Sequence, residues 1–159
     1  MLERTLVLVK PDGVRRSLMG EILQRFERTG LKIVAMRMLT MDRDFAKRHY
    51  AAHVDKDFYP RLENFIVSGP VVAMVVEGLH AVEMVRKLVG ETEPRTASPG
   101  TIRGDFAMHS YAYTRANDKA VSNLVHASGD QEDAAREVAL WFSPEEIQEF
   151  SLDVDNDVL

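Results

Sequence analysis

The sequence predicts an α+β fold of the ferredoxin-like (split βαβ) kind: a four-stranded antiparallel sheet covered by helices, with inserted helices and a long loop. Three observations predict it. Apolar, β-branched runs at 4–10, 31–39 and 71–78 have the length of strands, and a shorter one follows at 120–126. The stretches between them carry apolar residues at helical spacing. Their order is β-α-β, two inserted helices, then β-α-β, which places helices on one face of the sheet.

Taken in order, "RTLVLVK" (4–10) is the first strand, stopped by the turn signal Pro11-Asp12-Gly13. "MGEILQRFERTG" is a helix with Ile22, Leu23 and Phe26 on its apolar stripe and Gly30 as its stop. "LKIVAMRML" (31–39) is the second strand. Asp42 is an N-cap for a helix running through His49 and Tyr50. "DFYPRLENFIV" supplies a further helix with Leu62, Phe65 and Ile66 on one face.

After Ser68-Gly69-Pro70, "VVAMVVEG" is a third strand, apolar enough for both its faces to be covered. "AVEMVRKLVG" (81–90) is a helix that buries Val82, Val85, Leu88 and Val89. "ETEPRTASPGTIRGD" reads as a long loop, rich in Pro, Gly and Thr. "AVSNLVH" (120–126) is the fourth strand, a helix runs from Asp130 through Leu140, and "SPEE" (143–146) has the Ser, Pro and Glu of a helix start. One domain over 1–159 is expected, its last ten residues an acidic tail, loosely held or docked on a neighbour.

Composition narrows the function. With no cysteine, disulfides, thiolate zinc sites and a cysteine nucleophile are excluded. The apolar runs are too short for a membrane span, the N-terminus reaches charge and proline too soon for a secretory signal, and a cytoplasmic protein is expected. A net charge of −5 argues against strong nucleic-acid binding, so phosphate would have to be met by a local group of cations. The P-loop ending Gly-Lys-Ser/Thr is absent, as are the H-R-D and D-F-G signatures of protein kinases.

Taken singly, Lys10, Arg86 and Arg103 read as solvated surface charges; Arg86 and Arg103 together would form a clamp for phosphate oxygens. His49, His53, His80 and His109 have no obvious partner and read as surface or partly packed residues. The His49/His53 pair has a metal-ligand spacing but no third ligand. His126 differs, because small residues follow it and Glu137 lies on the next helix. A carboxylate can orient an imidazole, and small neighbours let an anion approach it. An ordinary packed histidine fits the position equally well.

The stretches "ERTLVLVKPDGV", "GEILQRFERTGLKIVAMRM", "SGPVVAMVVEG", "LVGETEP", "SPGTIRGDF", "NLVHASGD" and "EVALWFSPEE" together closely resemble the nucleoside diphosphate kinase family, in order, from about residue 3 to residue 147. That resemblance implies transfer of a γ-phosphoryl group from a nucleoside triphosphate to a nucleoside diphosphate through a phosphohistidine, here His126. It implies that Arg86, Thr92 and Arg103 hold phosphates and that Lys10 and Asn123 meet the sugar hydroxyls, Lys10 also near the terminal phosphate. Phe58 would stack on the base with Leu62 beside it, while Tyr50, Ser128 and Glu137 surround the histidine. It further implies Mg²⁺ carried on the nucleotide phosphates and a homo-oligomer, a hexamer in preference to a tetramer.

Two departures from the family pattern stand out. The connection 107–120, "AMHSYAYTRANDKA", is longer than usual, and Ala127 in "HASGD" replaces a familiar glycine. Two other functions compete: an anion-binding module without turnover, and a histidine phosphatase-like hydrolase. The arginine-glycine-histidine signature expected of the latter is missing near the N-terminus.

Overall fold

The computed structural model describes residues 2–153 and residue 155. Four strands, β1 (Leu2–Val9), β2 (Lys32–Thr40), β3 (Pro70–Leu79) and β4 (Val125–Ala127), form one sheet in the order β2-β3-β1-β4. Every neighbouring pair is antiparallel, so the expected sheet is the one observed. β1 pairs with β3 from Leu2↔Leu79 to Val9↔Val72, and β4 adds three residues on the other side, with Leu8 opposite His126.

The alternation along β1 and β3 divides the core in two, because successive side chains point to opposite faces. Val7, Val9, Val72, Met74 and Val76 pack with Ile22 and Phe26 of helix α2 (Met19–Glu27) and Val85 and Val89 of helix α5 (Ala81–Val89). Leu6, Leu8, Val71, Ala73 and Val75 pack instead with Ala46 of α3 (Arg43–His49), Tyr59 and Ile66 of α4 (Tyr59–Ile66), and Trp141 of α8 (Gln131–Trp141). The expectation of helices on one face alone is therefore corrected: the inserted helices and α8 cover the second face, as the unbroken apolar run of β3 requires.

Local signals placed most helices well. Asp42 caps α3 by accepting the Phe45 N–H at 2.7 Å, and Asp130 caps α8 by accepting that of Asp133 at 2.8 Å. Ser143 and Glu146 form the reciprocal capping box, although the helix they start is a single turn, Pro144–Glu146.

Three expectations are corrected. Pro11-Asp12-Gly13 is not a turn but the opening of a short helix, α1 (Pro11–Arg15), with proline at its first position. The loop 91–105 contains a helical turn at Pro94–Thr96 and helix α6 (Ile102–Phe106), whose N-cap Thr101 accepts the Gly104 N–H at 3.0 Å.

The fourth strand starts at Val125, not at residue 120, because the buried Leu124 adopts φ +71°. A tight turn closes around it, the Val125 N–H donating to the Asn123 carbonyl at 2.8 Å. The connection before it carries helix α7 (Tyr111–Ala116), capped by Ser110. In the acidic tail, Asp155 lies 3.7 Å from Lys32, whose Nζ also donates to the Phe150 carbonyl at 3.2 Å; residues 154 and 156–159 lie outside the described residues.

Candidate active site

The C-terminal end of β1, the N-terminal part of β4 and the ends of α3, α5 and α8 converge on a cavity of about 960 Å³. Ten of the eleven residues expected at the site line it. The eleventh, Ser128, is fully buried behind it.

His126 reaches this cavity from β4, on the face that packs against α3 and α8. Its Nε2 lies 2.8 Å from Glu137 Oε2 on α8, and the same oxygen accepts the Ser128 hydroxyl at 2.8 Å. Glu137 is 4% exposed while the His126 side chain keeps 21%, so the carboxylate is shielded and the imidazole is not. An ionised carboxylate is acceptor-only, which fixes the proton of a neutral His126 on Nε2 and leaves the Nδ1 lone pair free.

A second imidazole, dismissed from sequence as a surface or partly packed residue, stands against the first. His49 is 2% exposed, and its ring centre lies 4.6 Å from that of His126 in an edge-on arrangement. The Trp141 indole N–H donates to its Nδ1 at 3.1 Å, which keeps that nitrogen unprotonated. Burial, chiefly, and then the positive charge that His126, Arg136 and His53 can carry hold the pKa of His49 well below the usual histidine range. Tyr50 completes the aromatic wall, its ring centre 6.1 Å from that of His126. Burial, with Glu137 adding to it, raises the pKa of its phenol, so the hydroxyl keeps its proton.

Lys10, Arg86 and Arg103 line the same cavity. Arg103, from α6, is 8% exposed and spends its donors on three carbonyls: Asn123 at 3.1 Å, Gly90 at 3.0 Å and Val125 at 2.6 Å. The turn at Leu124 presents the first and third of these to one guanidinium, and it is held from behind by Asp12, which accepts the Leu124 N–H at 3.0 Å. Burial, followed by the Arg86 charge, lowers the Arg103 pKa to about 10, which leaves it cationic at neutral pH.

Lys10 Nζ donates to Asn123 Oδ1, and Asn123 Nδ2 donates to the Thr92 carbonyl at 2.8 Å. Burial lowers the Lys10 pKa to about 8. Among the described residues, none of Lys10, Arg86 and Arg103 has a carboxylate partner in an ion pair. Such a set of uncompensated positive charges in a partly enclosed cavity attracts an anion.

Phe58, 44% exposed, and Leu62 form an apolar lip of the same cavity. Ala127 is no obstacle there, since it lies in the extended backbone of β4 opposite Val7 and has no positive φ.

Sequence reasoning missed His49 and the Leu124 turn. The spacing of His49, three residues after the buried Ala46 of α3, was the available signal for its burial. A leucine at positive φ leaves none.

A family model described as nucleoside diphosphate kinase matches residues 3–147. The nucleoside diphosphate kinase of Thermus thermophilus is 53% identical over 146 residues, 92% of this chain and 99% of that protein. That of Pyrococcus furiosus is 50% identical over 149 residues, 94% of this chain and 88% of its own length. Among solved structures, a transition-state mimic of the Borrelia burgdorferi nucleoside-diphosphate kinase with bound vanadate and ADP superposes with a TM-score of 0.96 at 45% identity, covering 99% of this chain and 96% of that one. A halophilic enzyme from Halobacterium salinarum in complex with CDP gives 0.89 at 42% identity, covering 100% and 99%.

Proposed function

The chain belongs to the nucleoside diphosphate kinase family and is a phosphotransferase of that class, and from this premise we propose that it works by a ping-pong exchange through a phosphohistidine on His126. One observation carries the proposal: Glu137 engages Nε2 of His126 at 2.8 Å, so the nitrogen left for attack is Nδ1. The Nδ1 lone pair forms a bond to the γ-phosphorus of a nucleoside triphosphate as the β–γ bridging P–O bond breaks, and the nucleoside diphosphate leaves with that electron pair. The imidazole becomes cationic on phosphorylation, and Glu137, itself held by Ser128, stabilises that charge through Nε2–H. The second half-reaction reverses these steps with another nucleoside diphosphate.

The remaining residues take the following roles. Arg86, Thr92 and Arg103 hold the phosphates, with Arg103 pre-positioned by its three carbonyls so that little reorganisation accompanies charge development on the transferring oxygens. Lys10 and Asn123, already bonded to each other, meet the sugar hydroxyls, and Lys10 also lies near the terminal phosphate. The base stacks on Phe58 against Leu62. Stacking accepts every base, which fits broad nucleotide use. Tyr50 and the neutral His49 pack the histidine from the side.

Family membership brings a divalent cation with the nucleotide. Mg²⁺ prefers oxygen ligands, whereas the cluster of possible ligands at this site is His49, His126 and Glu137, two of which already bond each other. The donor set therefore suits a cation held by nucleotide phosphates and water, where it neutralises phosphate charge. No helix among the described residues is long and apolar enough to cross a membrane. A homo-oligomer is supported by β2, a sheet edge with Met36 and Met38 more than half exposed; the preference for a hexamer over a tetramer rests on family membership alone.

The decisive experiment incubates the protein with γ-labelled ATP and Mg²⁺ in the absence of acceptor. The expected product is alkali-stable, acid-labile labelled protein that passes its label to GDP and is absent in His126→Ala. Label that persists in His126→Ala, or nucleotide binding with no labelled protein at all, sinks the mechanism.

A further inference from the structure

The connection 107–120, longer than the family pattern, closes one side of the nucleotide cavity. Four hydrogen bonds pin it there. The Arg95 N–H donates to the His109 carbonyl at 3.1 Å, and His109 Nδ1 accepts the Ser122 N–H at 3.1 Å. Glu93 accepts the Tyr111 N–H at 3.0 Å, and Arg61 of α4 bonds Asp118 at 2.7 Å. Tyr111, Thr114 and Arg115 are one face of α7 by their spacing, and all three line the cavity, as does Lys119 beyond the helix end.

The position of Lys119 follows from its neighbour. Asp118, at φ +49°, turns the chain where α7 ends and pairs with Arg61, one residue from Leu62 and three from Phe58. Lys119 lines the same cavity as Phe58 and Leu62, next in the chain to the residue that ties this connection to α4, and its own N–H is fixed on the Thr114 carbonyl at 2.9 Å. The Arg61 and Asp118 charges satisfy each other, whereas Lys119 has no carboxylate within 4.0 Å among the described residues and stands 5.8 Å from the centre of the Tyr113 ring. Asp57 lines the same cavity beside Phe58 but does not pair with it.

We infer that Lys119 is a specificity residue that reads the edge of the bound base, favouring keto bases over amino bases. The inference rests on the reading that the base lies on Phe58. A stacking platform cannot tell one base from another; hydrogen bonding at the base edge can. An ammonium only donates, so it suits guanine O6 or uracil O4 and is mismatched with the amino groups of adenine and cytosine. The exposed, flexible lysine limits the preference to roughly 3- to 10-fold, the range of one solvent-screened charge-assisted bond.

Calorimetric titration of the whole protein with GDP, ADP, UDP and CDP tests this without requiring turnover. Wild type should bind GDP more tightly than ADP, and UDP more tightly than CDP, by that factor. Lys119→Met should bring both ratios to about one, and Lys119→Glu, which supplies an acceptor, should invert them. Ratios that stay unchanged in both variants, or four affinities that shift by one common factor, overturn the assignment; the second result would mean a phosphate contact. The stacking reading is tested separately by Phe58→Ala: if all four affinities stay unchanged, stacking fails whatever the ratios at Lys119 show.

Discussion

Replacing Lys10 with methionine should stabilise the protein while disabling it. The ammonium is only 6% exposed at the end of β1, and its partner is the side-chain amide of Asn123, not a carboxylate. Burial lowers its pKa from 10.5 to about 8, with Asp12 opposing the shift and Arg103 adding to it. At about 1.4 kcal/mol per pKa unit, holding that charge in the folded state costs about 3 kcal/mol. Lys10→Met keeps most of the apolar stem and removes the charge, but leaves Asn123 Oδ1 without its donor, a loss of about 1 kcal/mol. The net gain near pH 7 is about 2 kcal/mol, which raises the melting temperature of a chain of this size by roughly 4–8 °C.

The pH dependence identifies the cause. Below pH 8 the folded and unfolded chains both carry the Lys10 proton, and the destabilisation is fully present. Between about 8 and 10.5 the unfolded chain binds more protons than the folded one, so wild-type stability from this residue rises with pH. The gap between variant and wild type should therefore narrow across that window. Thermal or urea unfolding of both proteins at pH 7, 8.5 and 10, at matched protein concentration, measures it. A variant less stable than wild type at pH 7, or a gap constant from 8 to 10.5, refutes the reasoning. Nucleotide affinity should move the opposite way, the wild type weakening as pH passes 8 and the variant starting weak.

Other perturbations test the rest of the site. Glu137→Gln should slow phosphoenzyme formation by about 10²- to 10⁴-fold in single-turnover measurements, because a side-chain amide can donate to Nε2 and move the proton to Nδ1; a smaller loss would mean that the tautomer is set elsewhere. Arg103→Lys should both slow transfer and destabilise by about 2–3 kcal/mol in urea unfolding, since one ammonium cannot serve three divergent carbonyls. Gly104→Ala should lower the melting temperature strongly, by about 6 °C or more, because the added methyl would stand 2.0 Å from the Ser98 carbonyl oxygen. Met38→Asp, on the exposed edge of β2, should reduce the assembly size in sedimentation experiments while leaving the secondary structure unchanged by circular dichroism.

The parts of this fold that could be read from sequence are those governed by short-range rules. Apolar period, Asp42 and Asp130 as caps, and Gly30 as a stop at φ +83° all act within a few residues of themselves. Ser110 and Thr101 were the same kind of signal, N-caps ahead of two short helices, Thr101 inside a stretch whose Pro, Gly and Thr content suggested loop. The division of helices between the two sheet faces was harder to read. It depends on where α3, α4 and α8 dock, and only the continuous apolar run of β3 hinted at a second layer. Motif resemblance brought the site residues to notice, but not their support. Nothing near residue 124 announces a leucine at positive φ, and the Trp141–His49 bond joins residues 92 positions apart.

The Leu124 turn links the fold to the chemistry. β4 pairs with β1 for only three residues, so the chain ahead of it is free to leave the sheet. The turn does so at the point where Asn123 and Val125 can both offer carbonyls to Arg103, while the Asn123 side chain meets Lys10 and His126 enters the cavity one residue later. A non-glycine residue in this conformation costs on the order of 1–3 kcal/mol and persists only where its surroundings over-determine it. Here Asp12 holds its N–H, the Lys10 N–H holds its carbonyl at 2.8 Å, and its side chain is fully buried. One strained residue thereby sets the spacing between an uncompensated cation pair and an imidazole whose tautomer is fixed from α8. Under the proposed mechanism the cations would meet the phosphate oxygens while Nδ1 faces the phosphorus, the arrangement in-line transfer requires.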